Sequence, residues 1–399
     1  MKQPCRILVN ALHAKTGGGI TYLQAMLPRL AARSDIELHL AIHESQLEQF
    51  PDNLPNVKRH ISIFKDGFLR RLMWEQFVLP AIAWQQADVT FSPANFGPLF
   101  APRPVVLLRN ALGVADHDKR FVKQMYWKAL GAVTWLSLAL APKAIAVSAY
   151  AKRHLAFGFA SKVSVVHHGV DAGQFMPPES SRQDYILAVG DLTVQKNFHT
   201  LIEAVAQLPG QRLLIAGKMI DLVYARQIED QIKRLGLNDR VILLGGVSRE
   251  RLAELYGECK AFAFSSTVET FGNPLLEAMA SGCPILCSNA AAMPEILGGA
   301  GLLVEAQDAK AWEQALARLF ADPGLSTRLS LMALARAKDF SWDVTALQTA
   351  SLLAEAKGAG SPRDKIEFAA WLWVVFMLGA YLSQFLNFLP AISAALSVS

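Results

Sequence analysis

Cysteine is scarce in this chain: four in 399 residues (Cys5, Cys259, Cys283, Cys287), none in a C-x-x-C pair and none close in sequence to His167 or His168. That spacing excludes a zinc site of the usual pattern and points to buried, reduced thiols of a cytosolic protein. Charge is sparse as well, 18% against 52% hydrophobic residues, which excludes disorder and is more apolar than a purely soluble enzyme needs. No G-x-G-x-x-G follows a first strand, because Gly17-Gly18-Gly19 lacks the third glycine, so a dehydrogenase is excluded. No zinc knuckle, basic heptad arm or RNP-type aromatic strand accompanies the pI near 9.0, and no nucleic acid partner is expected. The opening residues MKQPCRILVNALHA carry only a short apolar run, which fits a first buried strand and implies no secretory export.

What is present is unevenly charged. Residues 1–180 hold 20 Lys and Arg against 12 Asp and Glu, a net of +8, whereas residues 181–399 hold 19 against 22, a net of −3. The basic excess alternates with aromatics in Phe64, Lys65, Phe68, Arg70, Arg71, Trp74 and Phe77, and again in Lys119, Arg120, Phe121, Lys123, Tyr126, Trp127 and Lys128. Such a mixture suits an anionic membrane surface. The alternative is an ordinary amphipathic helix whose aromatics enter the core.

Short apolar runs alternate with helical patterns, which predicts an α/β protein with parallel sheets wound by helices. One series runs from Ile7–Asn10 through Leu38–His43, Val105–Leu108 and Ala144–Ser148; a second restarts at Tyr185–Asp191. The linker-like composition of Asp171 to Gln183 lies between them and sets the expected domains: 1–176, 177–357 with a last helix packing back on the first domain, and 358–399 as linker and hydrophobic tail. From Phe368 to Ser399 no residue is charged, and about 20 such residues as a helix span a bilayer. Arg363 and Lys365 flank its near side, which by the positive-inside rule leaves the folded domains at the cytoplasmic face of the inner membrane, anchored by this segment. Asn387 and Pro390 also allow a re-entrant or in-plane helix or an oligomer contact.

The stretch with most chemistry is Ser265 to Pro284, where a buried strand, AFAFSS, gives way to a loop and then a helix. Asn273 is placed to cap that helix and Pro274 to fill its first turn, so the N–H groups of Leu275 and Leu276 are expected to face an anion without any charged side chain. Glu269 and Glu277 bracket this end at an E-x7-E spacing, and a carboxylate there can accept from paired sugar hydroxyls. Glu277 alone reads by default as a carboxylate on the helix dipole; the loop, the cap and the second glutamate together turn the reading to a binding site. Lys196 can stabilise the negative charge of a departing diphosphate. The alternative for it is a solvated loop lysine before a helix capped by Asn197. Three glycines before the helix Ile20–Arg33 suit close approach of backbone to a ligand or to the other domain.

With E269-T-F-G-N-P-L-L-E277-A-M-A-S-G-C-P, the chain resembles glycosyltransferase family four, the retaining GT-B family. The resemblance continues in Val147–Leu155, Val165–Phe175, Ala188–Ala204, Leu214–Gly217 and Phe340–Asp343. It implies two Rossmann-like domains and a sugar transferase that draws on a GDP- or UDP-linked donor, mannose among the candidates. The basic half with its aromatics and the apolar tail then make a lipid-linked saccharide or polysaccharide precursor of the cell envelope the expected acceptor. By the same resemblance Glu277 binds the donor ribose, Glu269 the transferred sugar and Lys196 the diphosphate. The backbone of Phe271, Gly272, Asn273, Leu275 and Leu276 would hold phosphates and sugar hydroxyls, while Gly18 and Gly19 face the donor. Retention is explained in the family by front-face substitution, with the leaving phosphate helping to deprotonate the acceptor. No protein nucleophile, cofactor or metal is then expected. Two positions depart from the pattern. Asp191 stands where many members carry Arg, and Arg109-Asn110 follows VVLL where a His is common. Asn110, Arg109 or His13 could replace that His. A GT-B nucleotide-sugar 2-epimerase and an inactive membrane scaffold of the same fold are the rival readings.

Overall fold

The computed structural model describes residues 3–15, 17–50, 54, 56–65, 67–110, 121–177 and 181–359. The apolar tail and the side chains of Lys119, Arg120 and Lys123 lie outside the described part. Among the described residues no helix is long and apolar enough to cross a membrane.

Two parallel sheets form, as the alternating pattern predicts. The first is ordered β3-β2-β1-β4-β5-β6-β7, with β1 at Cys5–Asn10, β2 at Ile36–His43, β3 at Val57–Ser62, β4 at Val89–Ser92, β5 at Pro104–Leu108, β6 at Lys143–Ala146 and β7 at Val163–Val165. The second is ordered β10-β9-β8-β11-β12-β13, with β8 at Gln183–Val189, β9 at Leu213–Ala216, β10 at Val241–Gly245, β11 at Cys259–Phe264, β12 at Ile285–Ser288 and β13 at Leu302–Val304. This is the doubly wound α/β class. Central strands such as β4 and β12 are buried along their whole length, because helices cover both faces of a parallel sheet. The winding reverses between β1 and β4 in the first sheet and between β8 and β11 in the second.

By compactness the chain forms one unit of Met1–Val106, Leu136–Ala144 and Ala350 onward, and another of Leu107–Trp135 and Ile145–Thr349. In the first, a core of Leu8, Ala41, Leu79 and Ala83 lies under the sheet. In the second, Trp312 is wholly buried among Leu201, Val205 and Leu316. Two strands have no counterpart in the sequence reading. β3 is an edge strand of mixed polarity, VKRHIS, with no apolar run, and β13, LLV, is apolar but only three residues long, too short to stand out as a strand.

Asp88 ties together the start of the first sheet. Its carboxylate accepts from the Arg6 backbone N–H at 3.1 Å and the Arg6 guanidinium at 2.8 Å, and Lys357 approaches it at 2.9 Å from the helix Trp342–Gly358. Burial alone would raise its pKa, but Lys357 and Arg6 together hold it down at about 2, against an ordinary 3.8. A depressed carboxyl contributes stability above its unfolded pKa, and that contribution is lost as pH falls from about 4 through about 2. Asp88→Asn is therefore expected to cost roughly 1 kcal/mol at neutral pH, after allowing for solvent screening. Urea unfolding of variant and parent at pH 7 and pH 3 checks it; an equal penalty at both would refute the ionic origin.

Candidate functional site

The carboxyl ends of β8 and β11 lie side by side, and each is followed by a loop carrying charge. After β8, the turn Val194–Lys196 presents Lys196; after β11, the loop presents Glu269. The two meet at 2.5 Å from Nζ to Oε1, with only 17% and 19% of their side chains exposed. Gly190 makes room for the lysine stem. With φ at +152°, it would bring an added Cβ to 2.8 Å from Lys196 Cε. Gly217 permits the next close approach, where a Cβ would lie 1.8 Å from the Gly190 carbonyl oxygen. The lysine loop is then sewn to the glutamate loop: Thr267 N–H donates to Gln195 O at 2.8 Å and Ser265 Oγ to Lys196 O at 2.8 Å. Asn197, fully buried and left-handed at φ 57°, donates from Nδ2 to Ser265 O at 3.1 Å and to Ala306 O. It sits at the helix start without capping it through its side chain, which corrects the expected capping role.

The helix after the glutamate loop runs Asn273–Ala280, and its cap is Gly272 at φ 91°. Asn273 is therefore inside the helix rather than at its cap, and its Oδ1 lies 3.1 Å from His168 Nδ1. A glycine that adopts the left-handed conformation freely takes the capping position, and its carbonyl accepts from Leu275 N–H at 2.9 Å. The Leu275 N–H expected to be free is thus engaged. His168 is buried between Phe271 and Trp342, at ring separations of 4.8 and 5.6 Å. Burial, reinforced by the Arg109 charge, drops its pKa to about 3, so the ring is neutral near pH 7.

Thr270 anchors the loop on both sides. Its Oγ1 donates to Arg109 O, and its own carbonyl accepts from Ser148 Oγ at 2.6 Å. Asn110, exposed, directly follows that anchor. Glu295 accepts from Ala149 and Tyr150 N–H at 2.8 and 3.0 Å and lies 2.9 Å from His167 Nε2. Burial would raise its pKa, yet these partners hold it below the ordinary range. Glu277 is half-buried in the helix Asn273–Ala280, and Tyr256 OH donates to it at 3.0 Å. Desolvation raises the Glu277 pKa, while the Tyr256 hydroxyl and the Arg249 charge oppose that rise.

The structure thus brings Lys196, Glu269, Phe271, Gly272, Asn273, Leu275, Leu276 and Glu277 onto one edge of the second sheet. Gly18 and Gly19 lie in the other unit, as the first residues of the helix Gly18–Ala31 behind Gly17 at φ 64°. Sequence reasoning missed Tyr256, Gly190 and His168 as contributors. A glycine closing the apolar run AVG signalled the second; nothing in the local pattern marks Tyr256, which is distant in sequence from Glu277.

Residues 174–335 match the family model described as Glycosyl transferases group 1. An O-antigen chain mannosyltransferase B of Escherichia coli is 32% identical over 176 residues, covering 42% of this chain and 45% of the relative. An MMP alpha-(1→4)-mannosyltransferase of Mycolicibacterium hassiacum is 31% identical over 258 residues, covering 63% of this chain and 59% of the relative. The chain thus spans about half the length of these curated relatives. Among solved structures, the Anabaena protein HepE in complex with UDP and glucose superposes at TM-score 0.72 and 21% identity, covering 88% of this chain and 100% of that one. That likeness shows the GT-B fold.

Tyr256→Phe removes the hydroxyl that favours ionised Glu277, so the Glu277 carboxyl should titrate at higher pH than in the parent. Carboxyl-carbon NMR of glutamate-labelled protein reads this directly, and an unchanged midpoint would show that the hydroxyl carries no electrostatic weight.

Proposed function

We infer, from the match of residues 174–335 to the glycosyl transferases group 1 family model, that the chain is a glycosyltransferase of that kind and moves a sugar from a nucleotide diphosphate sugar onto a saccharide-bearing acceptor. The observation that carries the reading is the Lys196–Glu269 pair beside the helix start at Gly272, with Glu277 one turn into that helix. A diphosphate competes with Glu269 for the ammonium group of Lys196 and so frees the carboxylate for sugar hydroxyls. The charge of the leaving diphosphate is neutralised by Lys196, in this reading without a metal. Glu277 accepts from a ribose diol in the manner of acidic residues in nucleotide folds. Neutral His168 and Asn273 fix the loop between these groups. Substitution then proceeds on the face the diphosphate leaves, with retention and no protein nucleophile. The donor is GDP- or UDP-linked, and mannose is the sugar that the names of the two relatives favour.

The acceptor in this reading is a lipid-linked saccharide or polysaccharide precursor at the cytoplasmic membrane face, with the apolar tail as anchor. Support comes from surfaces on each unit. In the first, Ile63 is 77% and Met73 43% exposed, beside exposed Lys65 and Arg70, although Phe64 turns inward against His43 and Trp74. In the second, Met125 is 54% and Trp135 46% exposed on the helix Phe121–Leu140, which also carries exposed Lys128. Bases near an anionic leaflet attract at about 1 kcal/mol each.

Two experiments bear on these halves separately. Lys196→Ala and Glu277→Ala should each lower transfer by about 2–4 kcal/mol of transition-state stabilisation without loss of the cooperative unfolding transition. A panel of nucleotide sugars with membrane extract, scored by product mass, measures it; near-parental turnover in either variant at saturating donor would remove the assignment. Arg70→Gln with Lys128→Gln should weaken sedimentation with anionic phospholipid vesicles and leave neutral vesicles unaffected. Undiminished binding to anionic vesicles would turn the acceptor reading toward a soluble saccharide.

A further inference from the structure

The first sheet has its own reversal of winding, between β1 and β4, and ligands of open α/β sheets bind outside the carboxyl ends of strands at such a point. The last residues of these two strands are polar and buried: Asn10 and Ser92 are 0% and 1% exposed. Between them reaches Glu75, 1% exposed, from the π-helical turn Trp74–Val78, a geometry that favours functional positions. Asn10 Nδ2 donates to Glu75 Oε1 at 3.1 Å. Its second oxygen, Oε2, is buried and has no hydrogen-bond partner among the described residues, and the same holds for Nε2 of His13, which follows β1.

Distances define what is missing. Glu75 Oε1 lies 3.9 Å from His13 Nδ1, and Oε2 lies 3.9 Å from Arg71 Nε. Both spacings are too long for a direct hydrogen bond, and both are short enough for one hydroxyl oxygen to bridge. His13 and Arg71 are the outer layer, at 15% and 19% side-chain exposure, and Glu75 is the floor, at 2%. Leaving a carboxyl oxygen buried without a hydrogen bond is costly, so a structure that retains one keeps it for a partner.

We propose that Glu75, with His13 and Asn10, forms a hydroxyl-anchoring subsite for the saccharide part of the acceptor, with Glu75 Oε2 accepting from one sugar hydroxyl and His13 binding a neighbouring one. The proposal rests on the sugar-transfer reading and adds to it the residues that select the acceptor. Arg71 orients the hydroxyl on Glu75 by donating to the same oxygen.

Saturation-transfer NMR on the full chain with methyl glycosides of mannose, glucose, galactose and N-acetylglucosamine tests it. At least one glycoside should give a signal in the parent that persists in Glu269→Gln and falls about tenfold or more in apparent affinity in Glu75→Gln, an isosteric change that replaces the accepting Oε2 by a donor. His13→Gln should reproduce part of the loss, and thermal unfolding shows whether each variant is folded. No signal in the parent, or a signal equal in Glu75→Gln, overturns the subsite, with an ordered water as the occupant of the gap. Nucleotide-sugar hydrolysis by the parent separates the two levels: if it occurs while the subsite fails, sugar transfer stands, and if both fail, the reading beneath the subsite falls as well.

Discussion

The ion pair between Lys196 and Glu269 is the constraint on which the second unit's site depends, and it exists because of strand order. The residues are 73 apart in sequence, yet β8 and β11 are hydrogen-bonded neighbours, so the loops leaving their carboxyl ends share one edge. A pair this little exposed gains from its low-dielectric surroundings only if the geometry is held, since each ion has given up water to be there. Gly190 provides the space for the lysine, Gly217 the space for the Gly190 carbonyl, and Asn197 and Ser265 fix the turn that carries the lysine. The arrangement is valuable chemically for the same reason that it is costly: two charges satisfied by each other are ready to be satisfied by a ligand that offers both an anion and hydroxyls.

Around that pair the loops are held by polar contacts as well as by hydrophobic packing. Thr270 is gripped by Arg109 O and Ser148 Oγ, and Glu295 takes the free N–H groups at the start of the helix Ala149–Leu155. Networks of this sort specify a unique geometry, because an alternative packing would strand several polar groups at once. His168 fits the same logic. Its aromatic neighbours and the Arg109 charge keep the imidazole neutral, so it orients Asn273 without adding a second cation beside Lys196.

Much of this was legible from the residues. Apolar runs marked the central strands, because a parallel sheet covered on both faces demands them, and the E-x7-E loop marked the edge that carries the Lys196–Glu269 pair. What escaped was set by tertiary geometry. β3 escaped because an edge strand needs little apolar surface. The helix start was read one residue late because Asn273 is a good cap in isolation, whereas Gly272 alone accepts φ 91° against Phe264, whose ring carbon would lie 3.1 Å from an added Cβ. Tyr256 escaped because its bond to Glu277 joins two helices that flank β11, a relation no local period encodes.

Both sheets share one winding order, and this makes their two reversal points comparable. At β8 and β11 the edge carries opposite charges that neutralise one another. At β1 and β4 it carries a buried carboxyl supported by a neutral amide and two cation-capable groups held at 3.9 Å. The first arrangement is self-satisfied and the second is not, so the two edges ask different things of a ligand: the former must be offered a better counterion, the latter only a hydroxyl. A nucleotide diphosphate sugar meets the first requirement, and a saccharide without formal charge meets the second. In the proposed reading, the two edges therefore offer complementary chemistry to the two reactants of a sugar transfer, a division that rests on electrostatics rather than on the fold the two sheets have in common.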